Sequence, residues 1–149
     1  MKAIEHLQRL LVEVPLRLAA LPSDSVERKP SSSKWSPKEE LGHLIDSAAN
    51  NHQRIVRIQL QQNPAMPGYE QDRWVALHHY QQRDWKELIQ VWAALNQQLL
   101  SAAKNAPESA WKRTCTIADS EPLTLKFVFE DYIQHMIHHL THIGVEIND

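Results

Sequence analysis

The chain has a single cysteine, Cys115, and only three glycines in 149 residues. One cysteine excludes an internal disulfide and any zinc site built from several thiolates. So few glycines leave few tight turns, which favours helices over hairpins. Charge of either sign is not in excess: the formal net charge is −2, so no nucleic acid and no membrane surface is indicated as a partner. No apolar run approaches the roughly 18 residues of a membrane span. The start, Met1-Lys-Ala-Ile-Glu-His, lacks the apolar core of a secretory signal. These absences lead to the expectation of a soluble, cytoplasmic protein with one domain over residues 1–149. What is plentiful is tryptophan, with five residues, and histidine, with nine. An apolar fraction of 42% and a charged fraction of 23% are ordinary for a globular chain, which at this length buries about two-thirds of its unfolded surface.

Four segments carry the three-and-four spacing of amphipathic helices. The first runs from about Lys2 to Leu21 through Ile4, Leu7, Leu11, Val14 and Leu18, and Pro15 is expected to kink or split it. A polar, proline-bearing link follows. The second begins at Ser36-Pro37-Lys38-Glu39, a capping box with proline at the first helical position, and continues to about Gln61. Residues 62–80 contain Pro64, Pro67 and Gly68 and read as a long crossover loop, with a helical turn near Gln71–Leu77. A loop of this length is usually functional. The third helix spans about Arg83–Asn105 along Trp85, Leu88, Ile89, Trp92, Leu95 and Leu99. The fourth spans about Leu123–Ile147. Short strands between Trp111 and Ile117 are compatible with the pattern but not required by it. Four long helices and no required strand give an all-α, four-helix bundle.

The chemistry is concentrated in the last helix, where His135, His138, His139 and His142 fall within eight residues. At roughly 100° per residue they share a sector about 100° wide. His135 and His139 border the apolar stripe, whereas His138 and His142 turn toward water. The i, i+4 spacing of His135 and His139 lets two imidazoles meet one ion. The alternative is a solvated or structurally satisfied row of histidines. On the second helix, His43, Ser47, Asn50 and Arg54 form one polar stripe, flanked by Asp46. It reads either as a solvent face or as the wall of a polar pocket. His52 projects from the opposite, apolar side. Periodicity alone leaves both His43 and His52 open as a third ligand, although a core position is the expectation for His52. Asp46 fits either the orientation of a ligand or a surface ion pair. Arg54 fits either a substrate carboxylate or phosphate or an exposed position. Trp35, Tyr69 and Trp74 fit either a pocket mouth or the core.

The string Lys34-Trp35-Ser36-Pro37-Lys38-Glu39, followed by Gly42-His43-Leu44-Ile45-Asp46-Ser47 and Asn50-Asn51-His52-Gln53-Arg54, resembles the DinB superfamily. Pro67-Gly68-Tyr69 with Trp74, Asp131-Tyr132 and His135-x-x-His138-His139 continue the likeness over nearly the whole chain. The resemblance implies a bundle of up-down-down-up order. It also implies a divalent metal, nickel or zinc, held by His43, His135 and His139, and so selects His43 over His52. It further implies a metal-dependent hydrolase or a thiol-dependent S-transferase, a small-molecule substrate that includes a low-molecular-weight thiol in the second case, and a homodimer.

Three neutral histidines leave coordination positions open, the mark of a catalytic rather than a structural site. Asp46, Ser47, Asn50, Arg54 and Trp35 are then the candidates for its surroundings. Two other readings stand beside the enzyme: a metal- or ligand-binding bundle without catalysis, and a helical module whose histidines only pack or titrate. No general base such as a pocket glutamate stands out from the sequence.

Overall fold

A computed structural model describes residues 1–147. It contains helices α1 (Lys2–Ala19), α2 (Pro37–Leu60), α3 (Gln71–His78), α4 (Trp85–Lys104) and α5 (Leu125–Ile143). Three short strands, β1 (Ala65–Met66), β2 (Thr114–Ile117) and β3 (Leu123–Thr124), form a small sheet in the order β1-β2-β3.

The four long helices form a bundle whose directions follow from contacts at their ends. At the start of α2, Ser36 Oγ donates to Gln81 Oε1 at 2.7 Å, just before α4 begins. At its far end, Gln59 Nε2 donates to the Ala102 carbonyl at 3.2 Å. The helices α2 and α4 therefore run parallel. Trp85 Nε1, at the start of α4, donates to the Leu18 carbonyl near the end of α1, and His139 of α5 meets Glu40 of α2. Thus α1 and α5 run opposite to the α2–α4 pair, which gives the up-down-down-up order. Both α1 and α2 pack against α4 and α5. The parallel step from α2 to α4 requires the long crossover, because a short turn joins only antiparallel neighbours. Among the described residues, no helix is long and apolar enough to cross a membrane.

The start of α2 matters most for the site. Ser36 Oγ accepts from the Glu39 amide at 3.2 Å, and Glu39 Oε1 accepts from the Ser36 amide at 3.1 Å. This reciprocal pair fixes where the helix begins, and hence the direction in which Glu40 and His43 project. Trp92, Phe129 and Leu7 are among the large, fully buried side chains of the core.

One expectation changes and two narrow. Pro15 lies inside α1 and does not split it; the helix forgoes one amide bond there and is held by the burial of Leu7, Leu10, Leu11, Val14 and Leu18. The last helix stops at Ile143, not Ile147, because Gly144 takes the left-handed conformation (φ 95°) that terminates helices. Thr114–Ile117 is a strand, recruited by the crossover: Ala65 and Met66 pair with Thr116 and Ile117 in parallel.

Candidate metal centre

The helices α2 and α5 cross so that His43 faces His135 and His139. Ligand-type atoms from these three residues all lie within 4.8 Å of one another. His43 Nε2 and His135 Nε2 are 3.1 Å apart. Two nitrogens bound to one zinc at about 2.0–2.1 Å lie roughly 3.0 Å apart at a right angle and roughly 3.4 Å apart at the tetrahedral angle. The observed separation falls between these values, so the pair fits a shared ion.

Burial also prepares the donors. His43 is 0% exposed, and its pKa is lowered to about 3 by burial first and then by the neighbouring His139 and His135. His135 is lowered to about 4, again mainly by burial. Both are therefore neutral at pH 7, the state in which imidazole binds metal. Trp35 lies over the cluster, with its ring 4.9 Å from that of His43 and 6.4 Å from that of His139. His43 Nδ1 is buried without a hydrogen-bond partner among the described residues.

Glu40 was not among the expected site residues. Its Oε2 lies 2.6 Å from His139 Nδ1 and its Oε1 lies 3.3 Å from His142 Nδ1. The carboxylate accepts the His139 Nδ1 proton and leaves Nε2 of that ring for an ion, the usual way in which a carboxylate orients a ligating histidine. The signal was present in the sequence: Glu40 stands three residues before His43 and so shares its helical face. Glu40, Trp35, Asp72, His139 and His142 line a cavity of about 420 Å³, which gives the cluster a route to solvent.

The other expected residues divide. His138 and His142 are exposed. His52 is nine residues from His43 and therefore on the far side of α2. It is half-buried rather than in the core and lines a groove with Val56 and Gln98. Asp46 makes no surface ion pair. It is buried and accepts from Tyr80 Oη at 2.6 Å, with His78 Nδ1 at 3.3 Å. Burial raises its pKa, against the opposing pull of these two partners. Ser47 is buried and Asn50 half-buried, so the stripe is a wall rather than a solvent face. Arg54 is half-buried beneath Tyr69 and well along α2 from the histidines.

The lowered histidines give a pH dependence. Unfolded imidazoles take up protons near pH 6.5, whereas His43 and His135 in the fold do so only near 3 and 4. Between these limits the unfolded chain binds more protons, so falling pH favours it. Metal-free protein is expected to lose stability steadily from pH 6.5 toward pH 4, as read by denaturant midpoints. A His43→Gln, His135→Gln chain is expected to lose much less over the same range.

The family model described as the DinB superfamily matches residues 5–143. A protein of Halalkalibacterium halodurans, named "Putative metal-dependent hydrolase", is 25% identical over 95% of this chain and 85% of its own length. A like-named protein of Oceanobacillus iheyensis is 25% identical over 94% of this chain and 79% of its own. Among solved structures, YfiT from Bacillus subtilis is described as a probable metal-dependent hydrolase with an unusual four-helix bundle topology. It aligns with a TM-score of 0.82 at 21% identity, covering 95% of this chain and 83% of that one. The mycothiol-dependent maleylpyruvate isomerase aligns at 0.78 with 10% identity, over 97% of this chain and 60% of that one. At these identities the two structures show a shared fold. With the family model spanning nearly its whole length, the chain belongs to the DinB superfamily.

Proposed function

We propose that this protein is a metal-dependent enzyme in which His43, His135 and His139 hold a divalent ion, nickel or zinc, facing a small-molecule substrate. The observation that carries the reading is the approach of three imidazoles, two of them held neutral by burial, from helices far apart in sequence. A divalent ion held there lowers the proton affinity of a water or thiol ligand toward neutrality, the chemistry that a hydrolase or a thiol S-transferase needs. Nitrogen donors alone do not choose between nickel and zinc.

The chain's own groups have definable parts. Trp35 shields His43 and His139 from bulk water, which strengthens electrostatic interactions within the site. Glu40 holds the His139 Nδ1 proton and so fixes the tautomer and the ring orientation. The cavity beside Trp35 and His142 admits the substrate. Glu40→Gln is expected to weaken metal binding by about 10–100-fold, measured by competition with a chromophoric chelator. Unchanged affinity would remove Glu40 from the site.

Hydrolysis is favoured by the names of the sequence relatives. Thiol transfer is favoured by the likeness to a thiol-dependent isomerase. The homodimer rests on the resemblance alone. Turnover of an ester panel, and of a thiol with monochlorobimane, with and without added metal, separates the two reactions. Metal binding without metal-dependent turnover on either panel would make this a binding bundle rather than a catalyst.

A further inference from the structure

A second polar concavity lies further along the face of α2 that carries His43. Its volume is about 290 Å³, and Asn50, Arg54, Arg57, Met66 and Pro67 line it. Arg54 is eleven residues beyond His43, which places it on the same side of α2 and about 16 Å further along the axis. The crossover returns alongside this stretch, so β1 and Pro67 wall in what would otherwise be an open helix surface.

Arg54 lacks a counter-charge. Its guanidinium sits over the Tyr69 ring, with Cζ 5.9 Å from the centroid. Its hydrogen bond goes to the neutral Asn51 Oδ1 at 3.5 Å, the outer limit of such a bond. Among the described residues, Arg17, Arg73 and Arg83 each meet a glutamate; of the arginines without a carboxylate within ion-pair distance, Arg9, Arg28, Arg57 and Arg113 are exposed and Arg54 alone is half-buried. Burial already holds the proton affinity of Arg54 below its ordinary value. A guanidinium that has given up part of its hydration and gained no anionic partner is held at a cost in free energy. Arg57, three residues on, lines the same concavity; its Nε is bonded to Gln53 Oε1, which leaves its two terminal nitrogens as donors. Two forked donors around a walled pocket match the oxygens of one carboxylate or phosphate group.

We propose that Arg54 and Arg57 form a binding site for a small oxyanion, a carboxylate or phosphate group, separate from the histidine cluster. The site stands whether or not the histidines hold a metal.

The test is calorimetric titration of the full-length, metal-free chain with inorganic phosphate and, separately, with succinate, at constant ionic strength. One of the two anions binds saturably, one per chain, and which one does so names the group. Arg54→Gln and Arg57→Gln each weaken that binding roughly tenfold or more. Arg54→Lys also weakens it, because an ammonium lacks the fork. Arg73→Gln, which removes a charge elsewhere, leaves it unchanged. Should Arg54→Gln fail to fold, the exposed Arg57 carries the comparison. Absence of saturable binding by both anions, or full affinity in Arg57→Gln, would overturn the site. So would an equal loss in Arg73→Gln, which would mark the binding as a response to net charge.

Discussion

A His43→Ala chain is expected to emerge from purification nearly free of metal, whereas the parent carries close to one ion. The expectation follows from how few ligands share the binding energy. If the total is on the order of 12 kcal/mol and three imidazoles divide it, losing one costs about 4 kcal/mol, roughly a thousandfold in affinity. His43 is the ligand whose loss should matter most. It alone of the three is fully buried, and it alone comes from α2, so without it the remaining pair is two half-buried side chains on one helix. The effect must be separated from misfolding, because removing a buried side chain also opens a cavity. Thermal unfolding of metal-free parent and metal-free variant makes that separation. A small difference there, with metal lost, supports the ligand role. Metal retained by a folded His43→Ala chain would contradict it.

The second large effect is expected at the preceding residue, Gly42. A Cβ added at this position would stand 2.0 Å from Tyr80 Cδ2, 2.3 Å from Cγ and 2.4 Å from Cε2, where carbon atoms rest at about 3.5–4.0 Å. The obstacle is the body of an aromatic ring and not the end of a flexible chain. Tyr80 is 2% exposed, and its hydroxyl is fastened to the buried carboxylate of Asp46. The ring therefore cannot swing away without breaking that bond and leaving the buried Asp46 with His78 alone. Gly42→Ala is expected to destabilise the fold by about 3 kcal/mol or more, at or beyond the upper end for overpacked cores, as read from the denaturant midpoint. The double variant Gly42→Ala, Tyr80→Ala should be less damaged than the sum of its parts, because the two side chains occupy one space. An unchanged midpoint in Gly42→Ala would show that the ring is not where it has been placed.

Much of this architecture is written locally. The capping box at Ser36 and Glu39 sets the start of α2 to the residue, because both partners lie within one turn. The i, i+4 spacing of His135 and His139, and their angle to the apolar stripe, is likewise a property of one helix. His43 was not legible in this way. Periodicity left it level with His52, and only the resemblance distinguished them, because the distinction depends on which side of α2 meets α5. Glu40 was missed for the opposite reason. A glutamate in the first turn of a helix is common, since it complements the helix dipole, so its place on the His43 face did not set it apart, and the histidine it meets lies 99 positions later. The β2 strand is a third case. Thr114–Ile117 is rich in β-branched residues but only four residues long, and one of its two pairing partners, Ala65–Met66, lies in no window around residue 115. Pro15 is a partial case: the local rule allowed a kink or a split, and tertiary burial along α1 keeps the helix unsplit.

The three-imidazole centre itself is tested most directly by X-ray absorption at the metal edge of the untagged protein. The account predicts a coordination shell with three imidazole nitrogens at about 2.0–2.1 Å, falling to two in a His139→Ala chain that still folds. A shell without three imidazoles, or one left intact by His139→Ala, would contradict it.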